Sequence, residues 1–133
     1  MRFILIGHGY WGRVWQQILS SSKHRLENII DPFLYNNNIQ TTKIDSIDSI
    51  IIASPINTHF SYAEYSILNK KNVLIEKPGT HSLNDIRKLA AIKTNKNIGV
   101  GGVRRRAHRV QQIFKRGIMS SLYRPIYNME VQY

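Results

Sequence analysis

The chain has 133 residues, no Cys, 42% apolar residues, and 19 Lys+Arg against 8 Asp+Glu, for a formal net charge of +11. That length suits one compact domain with its own core and leaves no room for two full ones. The lack of Cys excludes a disulfide scaffold, a thiolate nucleophile and any Cys-ligated zinc or iron–sulfur centre. It points to a reducing, cytoplasmic compartment.

Arg2 to Ile6 reads as a buried strand, ended at once by Gly7-His8-Gly9-Tyr10-Trp11-Gly12. A helix through about Ser20 follows, with Val14, Ile18 and Leu19 on one face. Leu26 to Asp31 is a second strand, stopped by Pro32, which cannot donate to a ladder. After the polar Asn36-Asn37-Asn38, a short strand is expected at Ile39 to Ile44, then a strand buried on both faces at Ser49 to Ala53. The spacing predicts a helix over Thr58 to Asn69, with Phe60, Ala63, Ile67 and Leu68 inward, and a strand over Asn72 to Glu76. Ser82, with Asp85 three residues on, starts a helix over Leu83 to Lys93, and Ile98 to Val103 is the next strand. None of these apolar runs approaches the ~20 residues of a membrane span, and no secretion signal is visible. Strands alternating with helices imply an α/β, Rossmann-type doubly wound parallel sheet covered on both faces.

Two later segments differ in character. Arg104, Arg105, Arg106, Arg109, Lys115, Arg116 and Arg124 fall in a stretch with no acid before Glu130. On a helix from about Arg105 to Arg116, Val110, Ile113 and Phe114 make an apolar stripe, leaving the cations as a solvated face or an anion site. Nucleic acid is a poor fit, because no zinc-finger, RRM or helix-turn-helix signature accompanies the charge. Tyr127, Met129, Val131 and Tyr133 alternate with polar residues, the period of a half-wet strand. This trailing strand joins an edge, pairs with another copy or a partner chain, or frays.

Gly7, Gly9 and Gly12 have the spacing GxGxxG between a strand and a helix. Gly7 permits the tight turn, Gly9 lets the backbone approach a pyrophosphate, and Gly12 allows close packing of helix on strand. The amides at the helix start, including those of His8, Tyr10 and Trp11, then face the phosphates. Asp31 follows the last glycine by 19 residues, close to the ~20 at which a carboxylate receives the adenosine ribose hydroxyls. The same carboxylate repels a 2′-phosphate, favouring NAD over NADP. No metal-ligand set is expected.

Ala53-Ser54-Pro55-Ile56-Asn57-Thr58-His59, followed by Val73-Leu74-Ile75-Glu76-Lys77-Pro78, resembles the nucleotide-binding half of the Gfo/Idh/MocA oxidoreductase family. Gly9-Tyr10-Trp11-Gly12 resembles its members that act on nucleotide-linked amino sugars or uronic acids. The likeness runs from Met1 to about Leu122, so 1–122 is expected to be the dinucleotide-binding domain and 123–133 the first strand of a second domain that is absent. The resemblance makes Lys77 the group that bonds the reacting sugar hydroxyl and moves its proton while hydride passes to or from the nicotinamide. Such a lysine needs burial or nearby positive charge to serve near neutral pH. Glu76 would be structural or touch the cofactor ribose, Pro78 would aim the turn, and Ser54, Pro55 and His59 would lie beside the ribose and nicotinamide.

There are departures from the family pattern. Only 17 residues separate Asp31 from Ser49, so the helix usual after the acidic residue is missing or vestigial, with Phe33, Leu34 and Tyr35 left to wall the adenine. Gly79-Thr80 replaces the apolar residue common after the tripeptide. The implied function is NAD-dependent hydride transfer at a sugar or nucleotide-sugar hydroxyl, with Lys77 catalytic and with Lys77, Arg104 and Arg106 toward the substrate. The alternative is a non-catalytic NAD-binding module or subunit that needs a partner chain, whether another copy or a separate protein.

Overall fold

A computed structural model of the chain describes residues 1–101. The expected basic helix, the trailing strand, the 122/123 boundary, Arg104 and Arg106 lie outside them.

Five strands, β1 (Arg2–Ile6), β2 (Arg25–Ile30), β3 (Ser49–Ile52), β4 (Asn72–Ile75) and β5 (Ile98–Val100), form one sheet in the order β2-β1-β3-β4-β5. Every pairing is parallel. A parallel sheet must be covered on both faces, and all four residues of β3 are buried accordingly. Side chains alternate along β1. Phe3 and Leu5 pack with Ile51 against Trp15 and Leu19 of α1 (Tyr10–Ser20). Ile4 and Ile6 join Ile50, Ile52, Val73 and Ile75 beneath α3 (Ile56–Leu68) and α4 (Leu83–Ala91).

The chain moves outward from β1 to β2, then returns past β1 and proceeds the other way through β3, β4 and β5. Right-handed crossovers in opposite directions put their helices on opposite faces, which is what the two core clusters record. The direction reverses between β1 and β3, so a crevice opens there at the carboxyl ends of the strands.

Three expectations are corrected. The segment Ile39 to Ile44 is no strand: Ile39–Thr41 is a 3-10 turn, started by Asn38, whose side chain accepts the Gln40 amide. The chain here passes from β2 over β1 to β3, where no free strand edge exists. Ile39, Ile44 and Ile47 instead fill the core on the α3 face, where a crossover helix would otherwise sit. The shortening after the second strand is therefore real, with only the one-turn helix α2 (Pro32–Tyr35) following Asp31. On α1 the innermost residues are Gly12, Trp15 and Leu19, with Val14 and Ile18 at the margin. On α3 they are His59, Ala63, Ser66 and Ile67, one helical stripe, while Leu68 falls off it and is exposed. Among the described residues no helix is long and apolar enough to cross a membrane.

Candidate functional site: the crevice at the glycine turn

β1 ends at Ile6 and the chain turns through Gly7, whose φ of +91° is open to glycine and strained for other residues. The Gly7 amide donates to Ile30 O at 2.7 Å, fastening the turn to the end of β2. A Cβ on Gly7 would stand 2.5 Å from Ser54 N, and one on Gly12 would stand 2.1 Å from Gly7 O. These two glycines let three backbone segments meet. Gly9 differs, because a Cβ there would meet nothing within 4 Å.

That open space lies at the start of α1, where Gly9 is the N-cap, no side chain caps the helix and its first turn holds no acid. The leading amides therefore keep their donors, and the positive end of the helix dipole, for a ligand. A pyrophosphate fits this cradle by charge and by shape. Tyr10 and Trp11 contact each other edge to face at 5.1 Å, with Tyr10 exposed.

Asp31 is at the cradle. Its Oδ2 accepts the His8 amide at 2.9 Å, and its Oδ1 accepts the amides of Phe33 and Leu34 at 3.1 Å each. One carboxylate thus holds the glycine turn and starts α2, with acceptor capacity left for a hydroxyl. Phe33, Leu34 and Tyr35 form an exposed apolar rim beside it, Phe33 being 91% exposed.

Gln16, Arg13 and Tyr62 are neighbours that carried no sequence signal. The His8 ring bonds Gln16 Oε1 through Nε2 at 2.8 Å and the Tyr35 hydroxyl through Nδ1. Arg13 Nε donates to His8 O at 3.4 Å, which holds a guanidinium at the rim of the turn. Tyr62 of α3 lies close enough to feel Asp31: burial first, and then that carboxylate's charge, push its phenol above the usual range.

Across the crevice, Ser54 and Pro55 follow β3. The Thr58 hydroxyl donates to Pro55 O at 2.7 Å and so receives its bond from Ser54 Oγ, also at 2.7 Å. His59 is 2% exposed, with Nε2 2.8 Å from Ser54 O and Nδ1 3.0 Å from Pro78 O. It is a brace between the turns after β3 and β4 rather than a side chain presented to the crevice.

Glu76 is likewise interior. Its Oε1 accepts the Trp15 indole N–H at 2.7 Å and its Oε2 the Lys77 amide at 3.3 Å. This fastens the end of β4 to α1. Lys77 is exposed at the same end of the sheet and joined to Pro78 by a cis peptide bond. Gly79 packs against Val100, where a Cβ would stand 2.8 Å from Cγ2. That contact explains a residue without a side chain at this place. Among the described residues no three His, Asp or Glu side chains gather to hold a metal ion.

Solved structures resemble this architecture. An oxidoreductase structure from Bacteroides fragilis is 24% identical with a TM-score of 0.70, over 90% of this chain and 43% of that one. The UDP-N-acetylglucosamine 3-dehydrogenase GnnA from Acidithiobacillus ferrooxidans is 24% identical with a TM-score of 0.66, over 88% of this chain and 41% of that one. An oxidoreductase from Agrobacterium radiobacter, solved with NAD+, L-tartaric acid and magnesium, is 17% identical with a TM-score of 0.66, over 75% of this chain and 34% of that one. This chain thus spans less than half the length of each. No curated protein sequence matches it. The family model described as an oxidoreductase family with an NAD-binding Rossmann fold matches residues 1–102. With the glycine cradle and its carboxylate built as that fold requires, the chain belongs to the Gfo/Idh/MocA oxidoreductase family and NAD is its cofactor.

Proposed function

We propose that the chain is the cofactor-binding part of a cytoplasmic oxidoreductase that passes hydride between NAD and a hydroxyl-bearing carbon of a sugar or nucleotide-sugar. The observation that carries this reading is how the Lys77 turn is held. His59 ties it to the Ser54 turn, and Glu76 ties it to Trp15 on the helix that opens the cradle. Lys77 is therefore fixed relative to both walls of the crevice while its side chain is left exposed. NAD, when bound, supplies the nicotinamide carbon that exchanges hydride. Gly7 and Gly12 shape the turn, the open space at Gly9 and the amides of Tyr10 and Trp11 hold the pyrophosphate, and Asp31 receives a ribose hydroxyl. Lys77 Nζ takes the proton released from the substrate hydroxyl on oxidation and returns it on reduction. The sugar class is supported by the Gly9-Tyr10-Trp11-Gly12 sequence and by the likeness to the UDP-N-acetylglucosamine 3-dehydrogenase.

Calorimetric titration with NAD tests the first half, and absorbance of reduced nicotinamide with a panel of UDP-sugars tests the second. Lys77→Ala is expected to keep NAD affinity within about 2-fold and to lower turnover by about 100-fold or more. Turnover equal to the parent's would remove Lys77 from this role. NAD binding without turnover on any sugar would favour the reading as a non-catalytic module that needs a partner chain.

A further inference from the structure

We propose that Gln16, His8 and Tyr35 form a clasp that positions the adenosine end of NAD, with the Tyr35 hydroxyl as its outer tie; the inference rests on the crevice being the NAD site. α2 is a single turn and none of its residues is buried, so apolar packing does little to hold it. Polar ties do that work. Asp31 caps its start, and Asn37 stands in for a missing strand neighbour, accepting the Asp31 amide at 2.8 Å and donating to Ile29 O at 2.8 Å.

The third tie comes from the glycine turn. Gln16 Oε1 can only accept, so His8 Nε2 carries the proton. In the neutral ring Nδ1 is then an acceptor, and Tyr35 O–H donates to it. The relay thus runs from α1, through the turn that faces the pyrophosphate, to the turn beside Asp31.

Two consequences follow for a ligand. The same turn supplies the Phe33 and Leu34 amides that hold Asp31 Oδ1, so moving α2 re-aims the carboxylate that takes the ribose. It also carries the exposed Phe33 and Leu34 side chains, an apolar surface beside that carboxylate and matched to the flat face of adenine. The clasp fixes both at a set distance from the cradle, which lowers the ordering cost of binding the adenosine half.

The test compares NAD and ADP-ribose binding by calorimetry in the parent, Tyr35→Phe, His8→Ala and His8→Gln. Tyr35→Phe keeps the ring and removes only the donor. Losing one such bond is expected to weaken both ligands by the same factor, about 3- to 10-fold. His8→Ala gives a loss at least as large. His8→Gln, which keeps an acceptor for Tyr35 and a donor for Gln16, recovers most of it. In the His8→Ala background Tyr35→Phe has no further effect, because the bond is already gone.

Gln16→Leu breaks the other end of the relay from within the well-packed α1 and lowers affinity in the same direction, so the result does not hang on how the α2 variants fold. Unchanged affinity in Tyr35→Phe, or a loss of NAD affinity without loss of ADP-ribose affinity, overturns the clasp alone. A parent protein that binds neither ligand overturns the cofactor reading beneath it.

Discussion

Replacing Gly9 by alanine adds one methyl group where the chain itself has nothing within 4 Å, whereas the same change at Gly12 drives a methyl group to 2.1 Å from Gly7 O. The two substitutions are chemically identical and should separate binding from stability. Gly9 has φ −70° and ψ −158°, extended backbone at the margin of the region alanine adopts. Alanine stiffens the unfolded chain by about 0.4–1 kcal/mol in favour of folding, offset by its poorer capping of a helix. The net change in stability should lie within about 1 kcal/mol. The new methyl stands in the space the pyrophosphate needs, so NAD affinity should fall by about 10-fold or more, roughly 1.4 kcal/mol.

At Gly12 the clash is between helix and turn backbone, which cannot rotate away. Overpacking of this kind costs about 1–3 kcal/mol, or about 3–5 °C of melting temperature for each kcal/mol in a domain between the small and mid-sized classes. Urea denaturation and NAD calorimetry on the two variants measure both quantities. Gly9→Ala binding NAD as the parent does would show that the ligand does not pass over Gly9, and the cradle would lose its meaning.

Asp31→Asn tests the carboxylate. Both Asp31 oxygens accept backbone amides, so the asparagine must turn its NH2 toward one of them. NAD affinity should fall by about 10-fold while the preference for NAD over NADP shrinks, as read by fluorescence titration with both nucleotides; an unchanged preference would remove Asp31 from the selection. For the buried pair, a double-mutant cycle of Trp15→Phe and Glu76→Leu in urea should give a coupling of about 1.5–3 kcal/mol, the range for a hydrogen bond to a charged group. A coupling near zero would mean Glu76 does not anchor α1.

The Tyr62 phenol is raised above its reference value of 10.0, first by burial and then by the Asp31 charge. Its folded-state value exceeds the unfolded one, so its contribution to stability is complete below pH 10 and is lost as pH rises through the folded value. Phenolate absorbance should show Tyr62 ionising after the exposed tyrosines. Asp31→Asn should bring that step to lower pH, and a Tyr62 that titrates with the others would refute the assignment.

What the sequence determined by itself was local and periodic. The β-branched run at Ser49 to Ile52, the three glycines after β1, the Ser82 cap and the Pro32 stop each act within a few residues, so element types and the cradle could be read in order along the chain. Asp31 was legible for a related reason: its spacing from Gly12 measures one strand–helix–strand unit, a length set by helix rise and strand rise rather than by any contact. The Ile39 segment was misread because its apolar residues are chosen for a crossover over β1, and local pattern does not reveal that no strand edge is free there.

Only the tertiary structure decided the pairings across the crevice. The indole of Trp15 finds Glu76 across 61 residues, His59 meets Pro78 across 19, and Tyr35 reaches His8 across 27. A buried polar group must find a partner wherever the fold brings one, and side-chain periodicity encodes which face is buried but not which donor meets which acceptor there. Parallel strands set side by side by the order β2-β1-β3-β4 gather their carboxyl ends in one place, and that closure turned scattered residues into a site.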